Sequence, residues 1–179
     1  MSKSVHIVFL RGVMPTGKNR VPMADLRRLL GENGFEDVQT WIQSGNVVLR
    51  TDLPPDELAR RVHHLIKDNI GAELAIVVKS RDELVAVIDE NPFKEGYDIS
   101  RVFFSLYNDS PNSERLGNLL AVDFQPEALV VTPRAAYMFI PGTYGRGKLS
   151  NNFLENKLKI TATMRNFNTL SKMIELSKD

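Results

Sequence analysis

A short turn between two β-prone segments is the feature that most restricts how this chain can fold. Residues 40–43 (Thr-Trp-Ile-Gln) and residues 46–49 (Asn-Val-Val-Leu) flank the pair Ser44-Gly45. Glycine readily adopts the positive φ angle that tight turns require, so such a pair between β-prone segments is typical of a β-hairpin. The sequence therefore predicts a hairpin with arms at residues 35–43 and 46–51, and the rest of the first half is arranged around it.

Apolar spacing and turn residues predict four further elements in this half. They are a strand at Val5–Leu10, a helix from Pro22 to Asn33-Gly34, a helix from Asp52 to Gly71 and a strand at residues 74–78. The resulting order, β-α-β-β-α-β, is that of the split βαβ or ferredoxin-like fold.

The sequence of the second half predicts the same order of elements as the first half, but without the final strand. Ser80–Glu83 form a capping box that opens a third helix, and residues 92–100 resemble a linker. Beyond it we predict β-α-β-β-α and a last helix that begins near residues 161–163. The predicted fold class is α+β, with two related ferredoxin-like halves at 1–79 and 101–179 joined by a helix and linker at 80–100. The second half is expected to be incomplete and followed by an extra C-terminal helix.

Alternation along the first hairpin arm predicts which side chains share a face. Val38, Thr40 and Ile42 form one set, expected beneath the helices because a ferredoxin-like sheet carries its helices on one face. Trp41 then lies on the opposite face between two glutamines. We expect Trp41 to be covered by the second half, since large aromatic side chains are usually buried. An exposed Trp41 would instead offer a binding platform.

Charge is distributed unevenly along the chain. Residues 1–31 carry six Lys or Arg against one Asp, residues 143–179 carry seven against three acidic residues, and the middle carries ten against eighteen. These basic ends are either solvated helix faces or parts of one positive surface. No apolar run is long enough to cross a bilayer, and the absence of cysteine excludes disulfides and thiolate zinc sites. We expect a cytoplasmic protein that has no membrane contact, metal or cofactor.

Two basic, glycine-containing loops are the candidate ligand sites. Gly12–Asn19 fits G-x-x-x-x-G-K, but Asn19 replaces the Ser or Thr that would ligate magnesium. A nucleotide-hydrolysing loop is therefore disfavoured, which leaves a plain connection or a weak anion site formed by backbone amides and Lys18. Gly142–Lys148 combines a flexible backbone with two cations and Tyr144, as phosphate or single-stranded nucleic-acid sites do. In the proposed topology strands one and three of each half are parallel neighbours, and if the halves pair through a pseudo-twofold, both loops could face one shared cleft.

Conventional catalytic sets are absent from the sequence. His63 and His64 are adjacent on a helix and cannot chelate a metal as an i, i+4 pair does, and Ser44 has no identifiable base. We therefore assign no catalytic residue. The candidate ligand-binding residues are Arg11, Lys18, Asn19, Ser44, Asn46, Tyr144, Arg146, Lys148, Arg165 and Asn166.

Several motifs in combination resemble the bacterial "domain of unknown function 1697" family. They are Leu10-Arg11-Gly12, Gly17-Lys18-Asn19, Pro22–Leu26, Gln43–Val48, Asn91-Pro92-Phe93, the Tyr144 loop and Thr163-x-Arg165-Asn166-x-Asn168-Thr169. The chain departs from the family pattern at Met14, Thr16 and Phe167, where Asn, Gly and Trp are usual. The resemblance implies a small cytosolic bacterial protein of two related α/β halves, and it implies no catalytic residue.

Three functions remain open at this point. The first is a binding module for an anionic ligand, phosphate-bearing or nucleic-acid-like, that uses the two basic loops. The second is an enzyme acting on a small anionic or phosphorylated substrate, which would need a closed polar pocket and a strongly shifted pKa. The third is a protein–protein interaction module that uses the surface around Trp41 or the last helix.

Overall fold

The computed structural model describes residues 2–178 of the chain. Within them, the residues up to Val85 and those from Ser171 onward form one compact unit, and Ala86–Leu170 forms a second. Each unit contains one four-stranded antiparallel sheet, which confirms the predicted α+β class. The sequence had assigned all residues after 101 to one half, so the grouping of Ser171 onward with the first unit was not anticipated. No helix among the described residues has the length and apolar character needed to cross a bilayer.

The first unit follows the predicted element order. Its elements are β1 (Ser4–Leu10), α1 (Met23–Glu32), β2 (Glu36–Trp41), β3 (Asn46–Thr51), α2 (Pro55–Asn69) and β4 (Ile76–Lys79), and α3 (Arg81–Asp89) begins in it. The strands lie in the order β2-β3-β1-β4. Ser80 and Glu83 cap α3 reciprocally: Ser80 N donates to Glu83 Oε2 at 2.7 Å and Glu83 N donates to Ser80 Oγ at 3.1 Å, which confirms the capping box.

The core of this unit lies between the two helices and one face of the sheet. Leu26 and Leu30 of α1, and Leu58 and Val62 of α2, are fully buried. Burial of each such side chain stabilises the fold by roughly 1.5–3 kcal/mol. The sheet residues in the same cluster are Val8, Leu10, Val47, Leu49, Ile76 and Val78. Alternate residues along β1, β3 and β4 therefore form the inner face, as the period of a strand requires.

The second unit is built from the remaining elements. These are β5 (Val102–Tyr107), α4 (Ser113–Leu120), β6 (Ala128–Val131), β7 (Ala135–Phe139), α5 (Asn151–Leu158) and β8 (Ala162–Asn166), followed by α6 (Phe167–Leu176), which continues into the first unit. A single 3₁₀ turn, Ile99–Arg101, precedes β5. The strand order is β6-β7-β5-β8. Met138, Leu154 and Leu158 are among the fully buried residues of its core.

The prediction that the second half lacks its final strand is wrong. Ala162–Asn166 forms β8, which pairs antiparallel with β5 and places Arg165 opposite Phe104. The last helix begins at Phe167 and not near residues 161–163. The error arose because Met164 falls on the same helical spacing as Phe167 and Leu170, although its own segment is extended. Thr163 and Arg165 occupy one face of this strand, while Ala162 and Met164 join the core on the other.

The expectation that strands one and three are parallel is also wrong. β1 and β3 are neighbours but run antiparallel, and so do β5 and β7. The reason is that β3 reverses the direction of β2 at the hairpin, so that β1 and β2 are the strands that share a direction. The loops after strands one and three consequently leave opposite ends of a sheet, which removes the premise of the shared cleft.

His6 is a titratable group inside the first sheet. It is only 8% exposed, and its Nε2 lies 3.0 Å from Ser4 Oγ. Burial lowers the pKa of His6, and this effect outweighs the opposing attraction of the Glu83 carboxylate. The folded state therefore favours the neutral imidazole.

We expect the free energy of unfolding to fall as pH decreases from about 7.5 to about 5.5, in part because of His6. The unfolded chain takes up a proton at His6 near its usual pKa, whereas the folded chain does so only at lower pH. The contribution is present above the unfolded pKa and is lost as pH falls through the folded one. Urea denaturation across this range should show a weaker pH dependence for His6→Gln. An identical dependence in the wild type and the variant would contradict the assignment.

Candidate functional site

The hairpin turn is held by its own side chains. Four residues, 42–45, connect β2 to β3, and Gly45 has a φ of +86°. Asn46 is fully buried, and its Nδ2 donates to Trp41 O at 3.0 Å and to Ser44 Oγ at 2.9 Å. The side chains of Ser44 and Asn46, both candidate ligand residues, are thus engaged in fixing the turn.

The predicted orientation of the side chains is wrong at the C-terminal end of the first hairpin arm. Trp41 is 38% exposed and Ile42 is 53% exposed, although Trp41 was expected to be covered and Ile42 to lie beneath the helices. β2 stops at Trp41, so the alternation ends before Ile42, whose φ is +48°. A positive φ is strained for a β-branched residue. Lys172 Nζ lies 5.1 Å from the centroid of the Trp41 ring, in a cation–π contact.

The tip of the hairpin lies directly against the first basic loop. Leu10 N donates to Gly45 O at 2.9 Å, and Gln43 Nε2 donates to Val21 O at 2.6 Å. A Cβ atom on Gly45 would lie 2.6 Å from Leu10 Cβ and 2.9 Å from Val13 Cγ2, which is too close for any side chain. The segment 43–46 therefore has a structural role. Ser44 and Asn46 fix the turn, and Gln43 and Gly45 hold the first loop against it.

The first loop has internal structure of its own. Met14 N donates to Asn19 O at 2.9 Å and Arg20 N donates to Gly17 O at 3.2 Å. Gly17, with a φ of +82°, leads into Lys18. Together with α1 and residues 69–71, the loop forms a groove of about 660 Å³. The residues that line it are Gly17, Lys18, Arg20, Pro22, Asp25, Arg28, Leu29, Glu32, Asn69, Ile70 and Gly71.

Two cations of this groove have no counter-ion among residues 2–178. Arg28 lies 4.0 Å from Asp25 and 3.5 Å from Glu32, so it engages both groove carboxylates. Lys18 and Arg20 are exposed, and neither side chain forms an ion pair with any residue in 2–178. The field of Lys18 still reaches Glu73, whose pKa is lowered mainly by its hydrogen bond with Lys67 and more weakly by Lys18. Arg20, which sequence reasoning did not select, could have been suspected only from its place in this basic loop.

Arg11 and Asn19 are half-buried and lie outside the residues that line the groove. Asn19 accepts the backbone bond from Met14, and Arg11 N donates to Ala75 O at 2.9 Å. Both therefore take part in the backbone structure of the loop. Among the candidate residues Arg11, Lys18, Asn19, Ser44 and Asn46, only Lys18 lines the groove.

The second basic loop is pinned within its unit. Lys148 Nζ donates to Asp123 O at 2.6 Å, and the backbone N of Lys148 donates to Glu127 Oε1 at 2.7 Å. Tyr144 packs its ring 5.2 Å from that of Phe103, and its hydroxyl accepts from Asn151 N at 2.8 Å. Tyr144 thus supports the start of α5. Arg146 lines a pocket of about 270 Å³ in this unit.

Arg165 and Asn166 lie at the junction of β8 and α6. Arg165 is 9% exposed, and its Nη1 donates to Thr163 Oγ1 at 2.7 Å and to Met164 O at 2.8 Å. Burial lowers the pKa of Arg165 to about 10. Asn166 Oδ1 accepts from Thr169 N at 2.9 Å, at the first turn of α6. Both side chains take part in the local structure of this junction.

The largest pKa shifts belong to interior groups of the second unit. Burial raises the pKa of Tyr107 well above its usual range and that of Tyr137 to about 12. Tyr107 donates its hydroxyl to Thr132 O, and Tyr137 donates to Val87 O at 2.7 Å. Neither tyrosine lines the groove or the pocket, and both act as buried hydrogen-bond donors.

The chain belongs to the family described as "Protein of unknown function (DUF1697)", whose model matches residues 3–137. This match confirms the resemblance found in the sequence. Among solved structures, the chain is similar to the conserved bacterial protein SP0830 from Streptococcus pneumoniae, with 20% identity and a TM-score of 0.77 over 99% of this chain and 100% of that one. At this identity the likeness shows the fold alone. No curated protein matches the chain.

Gly45→Ala should destabilise the first unit more than Gly34→Ala does. Both glycines have nearly the same φ, +86° and +89°, but a Cβ at Gly34 meets no atom within 4 Å. Both variants carry the cost of a left-handed alanine, about 1–2 kcal/mol. Gly45→Ala also overpacks against Leu10, which adds roughly 1–3 kcal/mol. Equal free energies of unfolding in urea would show that the close approach to Leu10 is not a constraint.

Proposed function

We propose that this member of the DUF1697 family is a binding module for a small phosphate-bearing ligand, held in the groove between the first loop and α1. The observation that carries the proposal is the pair Lys18 and Arg20. Both are exposed, both line the same groove, and neither forms an ion pair within the described part of the chain. Such cations are available to an incoming anion without breaking a contact.

The contacts favour the first loop over the second as the anion site. In the second loop, Lys148 is already held by Asp123 O and Tyr144 by Asn151 N. A ligand that used these side chains would have to displace bonds that the fold makes. The first loop requires no such exchange. The proposed anion site, which the sequence analysis built from two basic loops, therefore narrows to the first loop.

The chemistry of the groove suggests more than bare phosphate. Arg20 can bind a phosphate through two parallel N–H donors, and Lys18 adds a compact point charge. Asp25 and Glu32 line the same groove, and they would accept hydrogen bonds from ligand hydroxyl or amino groups. We therefore expect a sugar phosphate or a nucleotide to bind more tightly than inorganic phosphate.

We also infer that both units are ferredoxin-like split βαβ modules. The shared β-α-β-β-α-β order and the equivalent strand orders, β2-β3-β1-β4 and β6-β7-β5-β8, support this relationship. The boundaries 1–79 and 101–179 and the cytoplasmic location stay predictions, the latter supported by a sequence without cysteine.

Contact with another protein is a second candidate function. It is favoured by the exposure of Trp41 and Ile42 at the hairpin tip and by the strained φ of Ile42, because strain of this kind often accompanies functional sites. An enzymatic role has weaker support, since the tyrosines with large pKa shifts are engaged in the interior.

Replacement of both Lys18 and Arg20 by Ala should weaken binding of a sugar phosphate or nucleotide by about 10- to 100-fold, because charged hydrogen bonds are lost. A thermal-shift screen would identify the ligand, since a ligand at 100 times its Kd stabilises the fold by about 2.7 kcal/mol. Calorimetric titration would then compare wild type and variant.

The matched control replaces Arg115 and Lys157 by Ala, which removes two exposed cations from the second unit. This control should bind as the wild type does, which separates a local site from a general effect of net charge. Equal affinity of the Lys18/Arg20 variant and the control would refute the proposal. A steep loss of affinity for an oligonucleotide with added salt, together with no response to small phosphates, would favour a nucleic-acid ligand instead.

A further inference from the structure

The second unit contains a small pocket that the proposed anion groove does not involve. It has a volume of about 270 Å³ and lies between residues 124–127, which lead into β6, and residues 140–148, which follow β7. Phe124, Pro126, Ile140 and Pro141 give it an apolar wall, while its polar lining comes from Glu127, Thr143, Arg146 and Lys148. A pocket of mostly apolar surface with a few placed polar groups is the usual form of a small-molecule site.

Glu127 is the unusual member of this lining. It is only 7% exposed, and its Oε1 accepts two backbone bonds, from Lys148 N at 2.7 Å and Leu149 N at 3.1 Å. Its Oε2 is buried and has no hydrogen-bond partner in residues 2–178. A carboxylate oxygen accepts up to two hydrogen bonds, and buried polar atoms in native proteins almost always find one. The half-satisfied carboxylate therefore points to a donor that the described residues do not supply.

Gly147 lies directly against this carboxylate. A Cβ atom at position 147 would lie 2.5 Å from both Glu127 Cδ and Glu127 Oε2. The backbone of Gly147 therefore packs against the carboxylate, and the absence of a side chain permits this close approach. Any other residue at this position would press against Glu127.

The other charged residues at the pocket indicate which class of ligand would carry this donor. Lys148 Nζ is directed to Asp123 O, so it does not neutralise Glu127 through a direct contact. Arg146 is exposed at the pocket, and no ion pair of its side chain occurs in the described part of the chain. A ligand with an ammonium group at one position and a carboxylate at another would complement both charges, and the apolar wall would contact its side chain.

We infer that this pocket is a separate site for a zwitterionic amino-acid ligand, with Glu127 Oε2 accepting from the ammonium group and Arg146 binding the carboxylate. The assignment rests on the second unit alone and is independent of the anion groove. Pocket size agrees with it, since 270 Å³ holds a molecule of amino-acid dimensions and not a dinucleotide.

Calorimetry or ligand-observed NMR with phenylalanine and leucine tests the inference on the full-length chain. Wild type should bind at least one of them. 3-Phenylpropanoate, which lacks the ammonium group, and phenethylamine, which lacks the carboxylate, should each bind at least tenfold more weakly than phenylalanine. If neither amino acid binds, or if 3-phenylpropanoate equals phenylalanine, the assignment is overturned.

Glu127→Gln is the decisive variant. The amide oxygen can still accept from Lys148 N and Leu149 N, so the loop should stay pinned, but the amide NH₂ group replaces Oε2 and repels an ammonium donor. Affinity should fall at least tenfold, whereas Glu114→Gln, which changes an exposed glutamate on α4, should have no effect.

Arg146→Ala provides a second variant that does not touch the buried carboxylate. It should weaken amino-acid binding and leave the weak binding of phenethylamine unchanged, because that probe has no carboxylate for Arg146 to contact. Wild-type affinity in both Glu127→Gln and Arg146→Ala, with melting temperatures showing that each is folded, would overturn the assignment.

Discussion

The backbone of Gly45 lies so close to Leu10 and Val13 that no side chain fits between them, and this approach fixes where the hairpin meets the first loop. The contact joins the end of β1 to the start of β3 at the point where the first loop leaves the sheet. Gln43 then fixes the far end of that loop through Val21 O. With both ends held, the segment between them carries Lys18 and Arg20 into the groove beside α1. The proposed anion site is thus positioned by contacts with the hairpin and not by the cations themselves.

The elements of the first unit could be predicted because their signals are local. Gly45, Asn33-Gly34 and the Ser80–Glu83 box each determine a turn or a helix end within a few residues. Strand β8 was missed because its signal is not local. It is stabilised by pairing with β5, more than fifty residues away, whereas the apolar spacing within its own segment is that of a helix. The exposure of Trp41 likewise depends on where β2 stops, which the alternation of side chains does not reveal.

The two candidate sites also differ in how far the sequence alone could predict them. Lys18 follows a glycine in a recognisable loop, so sequence reasoning could select it. Glu127 could not be selected, because its environment is formed by Gly147, Lys148 and Leu149, which lie twenty or more positions later in the chain. A single glutamate after a proline matches no recognisable sequence motif. Several other candidates, including Asn46 and Asn166, are held by contacts that stabilise turns and helix starts.

The grouping of the residues from Ser171 onward with the first unit has a consequence for how the chain acquires its fold. The second unit is in effect an insertion: the first unit begins before it and is completed after it. During synthesis from the N-terminus, Ala86–Leu170 emerges as an uninterrupted segment, whereas the first unit is complete only once Lys172, which contacts the Trp41 ring, and the buried Met173 have emerged. Dissection of the chain into two contiguous fragments would therefore divide the first unit, and circular permutation would be the way to join its parts.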